Sequence, residues 1–184
     1  LLGMSDIIHS RGYDTKSSLL KRKLEADLPN CKINSIPDRF ENFLNTHENF
    51  EQFDLIILAT GNDNLNFLAS DLFFKYLPAK PLMFVWIAPL GIGGHVLISN
   101  IEPHGCYKCL FENDMRTLDI PHLHNKASFA ASGQSFTKTL SGCHGRFTEF
   151  GLVDVQDTAS LATRLAINVL KDKQKFNKLF SWRG

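Results

Sequence analysis

The sequence predicts an α/β protein: a mostly parallel sheet with an antiparallel hairpin extension. Three observations carry that prediction. Residues 54–59 (DLIILA) are a continuous aliphatic run, the pattern of a strand covered on both faces. Residues 65–77 follow as an apolar-periodic helix closed by Pro78. Residues 81–88 form a second apolar run, which Gly91-Ile92-Gly93-Gly94 turns back into residues 95–101. Four residues are far too few for a parallel crossover, so this return is antiparallel.

The other elements are read in chain order. Asp14 or Thr15 caps a helix over residues 16–28, in which Leu20, Leu24 and Leu28 recur every four positions and Pro29 ends the run. Residues 31–36 read as a short strand, and residues 40–45 as one or two helical turns. Residues 112–141 have no convincing period; a loop of that length is functional or mobile as a rule. The last element is a helix over residues 156–170. Leu161, Leu165 and Val169 share a face there with Ala159, Ala162 and Ala166.

Composition narrows the function classes. The 184 residues are 43% hydrophobic and 21% charged, enough apolar material for a real core. Lys and Arg total 20 against 19 Asp and Glu, so no charge field favours a nucleic acid or an anionic membrane as partner. No apolar run approaches the ~20 residues of a membrane span, and 15 Phe exclude a disordered chain. The length reads as one domain over residues 1–184, or a large piece of one. The chain opens on Leu1 with no signal-peptide charge pattern, which reads as a fragment of a longer, cytoplasmic protein.

Four places carry chemistry-bearing residues. Thr60, Asn62 and Asp63 form a polar turn at the carboxyl end of a strand, where open α/β sheets bind ligands. Asn62 and Asp63 serve equally well as helix caps, and the two roles are compatible. Cys106 and Cys109 form a Cys-x-x-Cys pair that reads first as half a zinc site, with Cys143, His104, His144, His122 and His124 as the residues available to complete it. A redox reading of the pair is weaker, because the pair follows a strand and a Pro-His-Gly turn rather than opening a helix. Cys143 lies in Ser-Gly-Cys-His-Gly-Arg, where small neighbours expose the thiol and His144 and Arg146 favour a thiolate; an inert buried thiol fits the segment equally well. Lys16, in the first turn of the first helix, sits where a cation is mildly unfavourable unless an anion binds nearby.

The order of these pieces resembles the second half of the ThiF/MoeB/HesA family, the fold shared with ubiquitin-activating enzymes. The carrying residues are the Asp54-to-Asn62 segment, Gly91-Ile-Gly-Gly-His95, Pro103-His-Gly-Cys-Tyr-Lys-Cys109-Leu-Phe111, Cys143, and the Ala-rich final helix. The Cys-Tyr-x-Cys-Leu-Phe string is the most specific of them. The resemblance implies a Rossmann-like sheet, incomplete at its N-terminus, since the glycine-rich nucleotide loop of the family would precede Leu1; the isolated chain is then expected to be inactive. It implies an adenylyltransferase that uses ATP and Mg²⁺ to activate the C-terminal glycine of a ubiquitin-like or sulfur-carrier protein and passes it to a cysteine, acting as a homodimer. Carried over by position, Lys16 contacts ATP phosphates, and Thr60, Asn62 and Asp63 face Mg-ATP. Cys106 and Cys109 are zinc ligands, and Cys143 is the acceptor thiol with Arg146 beside it. Gly61 stands at the ungapped position of the family's Asp, the second Cys-x-x-Cys is missing, and the Gly-Arg-Phe-Thr-Glu-Phe after Cys143 departs from the family pattern. The alternative is a catalytically inactive module that docks a ubiquitin-like protein or a dimer partner.

Overall fold

The computed structural model describes residues 15–44, 50–114, 122–131, 134, 136–139 and 146–184. The chain divides into two units, residues 1–45 and 46–184. The first contains helix α1 (Lys16–Asp27) and the short helix α2 (Phe40–Leu44). Thr15 caps α1 as the sequence suggests, its hydroxyl accepting from Ser18 N–H at 3.2 Å. The strand expected over residues 31–36 is irregular chain instead. Its alternation is weak, and Ile36 is exposed rather than buried on a sheet face; a strand exists only through the ladder it joins.

The second unit is built on a four-stranded sheet in the order β1-β2-β3-β8, from β1 (Ile56–Leu58), β2 (Leu82–Ile87), β3 (Gly93–Ser99) and β8 (Lys178–Arg183). β1 and β2 run parallel through the crossover helix α3 (Asp63–Tyr76), whereas β2–β3 and β3–β8 are antiparallel. The architecture is α/β with a mixed, Rossmann-like sheet, and the antiparallel extension is one strand larger than the sequence suggested. That extra strand is β8. The expected six-residue first strand is shorter, and Ile57 on it is 51% exposed. As a terminal strand among the described residues, β1 is bonded along one edge, and its outward residue is left uncovered.

Side chains alternate across β2. Met83 joins Val96 and Ile98 of β3 against Ala162, Leu165 and Val169 of helix α4 (Leu152–Leu170), forming one core. Leu82 and Phe84 point to the other face and are fully buried. α4 starts four residues earlier than its apolar period implies, because the Asp154 carboxylate accepts the Gly151 N–H at 2.7 Å and extends the first turn. Residues 112–141, read as one long loop, join two small antiparallel pairs: β4 (Phe111–Asp114) with β5 (His122–Asn125), and β6 (Thr137–Thr139) with β7 (Arg146–Thr148), which lies just beyond that segment. Four- and three-residue strands are too short to show a period.

The glycines of the hairpin do more than turn the chain. Gly91 takes φ +66°, which suits glycine, but Gly94 lies on β3 itself, where a Cβ would strike Thr158 of α4 and the indole of Trp182. The Trp182 indole donates to Thr158 Oγ1 at 3.0 Å across that space. Gly94 therefore lets helix and edge strand close over β3.

Candidate functional site

The turn after β1 lies at the carboxyl end of the parallel pair. The Asn62 side chain caps α3, accepting from Leu65 N–H at 3.2 Å. Thr60 folds the turn: its hydroxyl accepts from Asn62 N–H at 3.1 Å and donates to Asn66 Oδ1 at 2.9 Å. Gly61, at φ +64° with nothing near its Cβ direction, opens the turn to solvent. Asp63 occupies the first helical position, where the helix dipole favours a carboxylate.

Asp63 has a partner from far along the chain. The Tyr107 hydroxyl donates to Asp63 Oδ1 at 2.7 Å. The Tyr107 ring is fully buried, stacked on Phe84 at 4.6 Å with Trp86 and Phe67 edge-on. Burial foremost pushes the phenol well above its usual range, and the Asp63 charge adds to this, so Tyr107 stays a donor at every ordinary pH.

Tyr107 stands between Cys106 and Cys109. Tyr107 and Cys109 belong to a 3₁₀ turn (Tyr107–Leu110), and Cys106, with an extended backbone, immediately precedes it. No α-helix opens at the first cysteine, as the sequence suggests; Cys106 only precedes this short 3₁₀ turn. Cys109 N–H donates to the Cys106 carbonyl at 3.0 Å, and the two sulfurs lie 3.2 Å apart as free thiols. Burial raises the pKa of the half-buried Cys106 thiol, while the bond from Cys106 lowers that of the exposed Cys109. Asn177 fixes the approach to this turn, accepting from Ile101 N–H at 2.9 Å and donating to the carbonyls of Glu102 and His104. Lys108 pairs with Asp71 of α3 at 2.5 Å. Between α3 and this turn is an open cleft of about 520 Å³, lined among others by Ser70, Asp71, Lys75, His104, Cys106 and Cys109.

The sequence treated the polar turn and the thiol pair as separate places; the structure joins them through Tyr107. Residues 7–170 match the sequence profile of the ThiF family, whose members serve the activation of ubiquitin-like and sulfur-carrier proteins. The chain belongs to the ThiF family. No curated protein matches the sequence. With most of the chain matched, the Rossmann-like α/β sheet is the family's sheet. No helix among the described residues is long and apolar enough to cross a membrane.

The remaining expected residues fall as follows. Lys16 is the exposed first residue of α1, in the other unit. Arg146 opens β7. Cys143 and His144 lie outside the described residues. For zinc, no three His, Cys, Asp or Glu side chains converge as ligands among the described residues. Two thiolates on one tetrahedral zinc, at ~2.3 Å each, stand about 3.8 Å apart. The two free thiols stand 3.2 Å apart, within side-chain rotation of that spacing. No zinc site is shown among the described residues, and two of the residues available to complete one, Cys143 and His144, are not among them. Sequence reasoning missed Tyr107, quoted only as part of a motif, and Asn66, because their roles depend on the turn meeting the thiol segment.

Proposed function

We propose that this ThiF-family chain acts in the ATP-dependent activation of the C-terminal glycine of a ubiquitin-like or sulfur-carrier protein. In this reading the glycine carboxylate attacks the α-phosphorus of ATP and pyrophosphate leaves. The Cys143 thiolate, favoured by Arg146, then attacks the acyl carbon and AMP leaves. Lys16 meets ATP phosphates, and Thr60, Asn62 and exposed Asp63 face Mg-ATP, with Asp63 the carboxylate available to the cation. The protein works as a homodimer in the cytoplasm. The observation that carries the reading is the solvent-facing turn at the end of β1, its carboxylate oriented by Tyr107, in a chain of this family.

One observation favours the second reading, an inactive module that docks a ubiquitin-like tail or a dimer partner. The turn's side chains are all engaged within the fold: Asn62 caps, Thr60 bonds Asn66, and Asp63 bonds Tyr107, with Gly61 at the family's Asp position. Exchange of labelled pyrophosphate into ATP separates the two, measured on the full-length protein with carrier proteins ending in glycine and with the same carriers lacking that residue. Glycine-dependent exchange supports the enzyme. In the same protein, Cys143→Ala should abolish a reductant-sensitive conjugate and leave exchange intact. Binding of the carrier without exchange favours the module.

A further inference from the structure

The thiol pair, which the proposed activation reaction does not use, supports a chemistry of its own. We propose that Cys106 and Cys109 are a peroxide-sensitive dithiol that closes reversibly to an intrachain disulfide. The geometry is already close. The Cys109 N–H bond to the Cys106 carbonyl folds the pair together, and the sulfurs are 3.2 Å apart. Reaching the ~2.05 Å of a disulfide needs about 1.2 Å of approach, within the range of side-chain rotation. The pair opens onto the cleft beside α3, so a small oxidant reaches it. Exposure assigns the order: Cys109 is exposed and Cys106 half-buried.

The step balances with hydrogen peroxide as oxidant. Cys109 Sγ attacks one peroxide oxygen; an S–O bond forms, the O–O bond breaks, and the departing oxygen leaves as water with the thiol proton. Cys106 Sγ then attacks the sulfenic sulfur. The S–S bond forms, the S–O bond breaks, and the hydroxide leaves as water with the Cys106 proton. Two electrons pass from the thiols to peroxide. Exchange with two molecules of a low-molecular-weight thiol, itself oxidised, restores the dithiol. The closed bond would clamp Tyr107 and Lys108 inside a four-residue ring. It therefore reports on the segment that orients Asp63, without depending on the proposed activation reaction.

The sequence provides a direct readout, because Lys108 lies between the cysteines and trypsin cuts after it. The reduced full-length protein is treated with one equivalent of hydrogen peroxide, alkylated with N-ethylmaleimide and digested. The expected result is loss of both alkylatable thiols and a disulfide joining the peptide that ends at Lys108 to the one that begins at Cys109, while Cys31 stays alkylated. Glutathione should restore both thiols. Phenylarsine oxide, which bridges neighbouring thiols, should bind at one equivalent and block the link. Two separately alkylated peptides after peroxide would overturn the proposal. So would one zinc per chain, retained through a weak chelator, that shields both thiols. Cys109→Ser should remove the linked peptide, and the wild-type mapping keeps the test decisive if that variant folds poorly.

Discussion

Acid should weaken the larger unit through His95, by about 2 kcal/mol between about pH 8 and about pH 4.5. His95 is buried on β3, its Nδ1 bonded to Ser181 Oγ at 2.8 Å and its Nε2 without a partner among the described residues. Trp86 stacks on the ring at 5.0 Å and Phe129 lies at 4.6 Å. Burial lowers its pKa from 6.5 to about 4. In the unfolded chain the imidazole takes up a proton as the pH falls through 6.5, while the folded ring stays neutral until about 4. The unfolded state thus binds more protons across that window. Stability is full above 6.5 and declines toward 4. At about 1.4 kcal/mol per pK unit the whole shift amounts to ~3 kcal/mol, of which most is felt by about pH 4.5. Attraction of an imidazolium to the aromatic faces, ~0.5–1 kcal/mol, reduces it to the figure above.

Urea unfolding followed by tryptophan fluorescence reads this directly, since Trp86 and Trp182 both lie in the sheet. Carboxylates titrate over part of the same range, so the measured quantity is the gap between wild type and His95→Gln, which carries no titrating ring. The variant should be less stable at about pH 8, having lost the stacked ring, and the gap should shrink by about 2 kcal/mol at about pH 4.5. An unchanged gap, or an imidazole resonance of His95 titrating near its ordinary value, would refute the reasoning.

Two further substitutions test the turn. Tyr107→Phe keeps the buried ring but removes the bond to an exposed carboxylate, and should cost about 1 kcal/mol in chemical denaturation, with unchanged near-ultraviolet dichroism of the remaining aromatics. Asn62→Ala should cost about 1 kcal/mol through the lost α3 cap, whereas Asn62→Asp should retain most of it; equal losses would show that the cap is idle.

What the sequence showed and hid follows from which interactions are local. The caps at Thr15 and Asn62, the aliphatic runs of β1 and β2 and the small-residue face of α4 are set by neighbours a few positions away, and each was legible. β8 was not. Its Leu179, Phe180 and Trp182 look like a polar tail with scattered apolar residues until β3 provides the ladder and Thr158 the indole's acceptor. The same holds for Asn100, which adopts φ +65° and donates to the carbonyls of Leu77 and Lys80 at 2.8 and 2.7 Å, closing the end of β3 onto the α3–β2 connection. A lone Asn after a strand gives no sign of that. At the site, the residue types were visible, but the pairing of Asp63 with Tyr107, 44 residues away, is a product of the sheet and helix lying between them.

That pairing bears on whether a side chain engaged in the fold is thereby excluded from chemistry. An ionised carboxylate has about four acceptor positions on two oxygens, and the Tyr107 hydroxyl takes one of them. The bond fixes which way Asp63 faces and leaves acceptor capacity directed outward. Because burial keeps Tyr107 protonated, it brings no second negative charge that would compete for a cation or repel a phosphate. Asn62 differs: its side-chain oxygen is committed to the Leu65 N–H, and its use as a ligand would cost the helix its cap. Of the turn residues, Asp63 is thus the one whose structural bond and proposed Mg-ATP role are mutually supportive, since an oriented carboxylate loses less freedom on binding. In the proposed function the nucleotide-facing turn and the Cys106–Cys109 segment are joined through one hydroxyl group, and Tyr107→Phe is the substitution that cuts that bond without emptying the core.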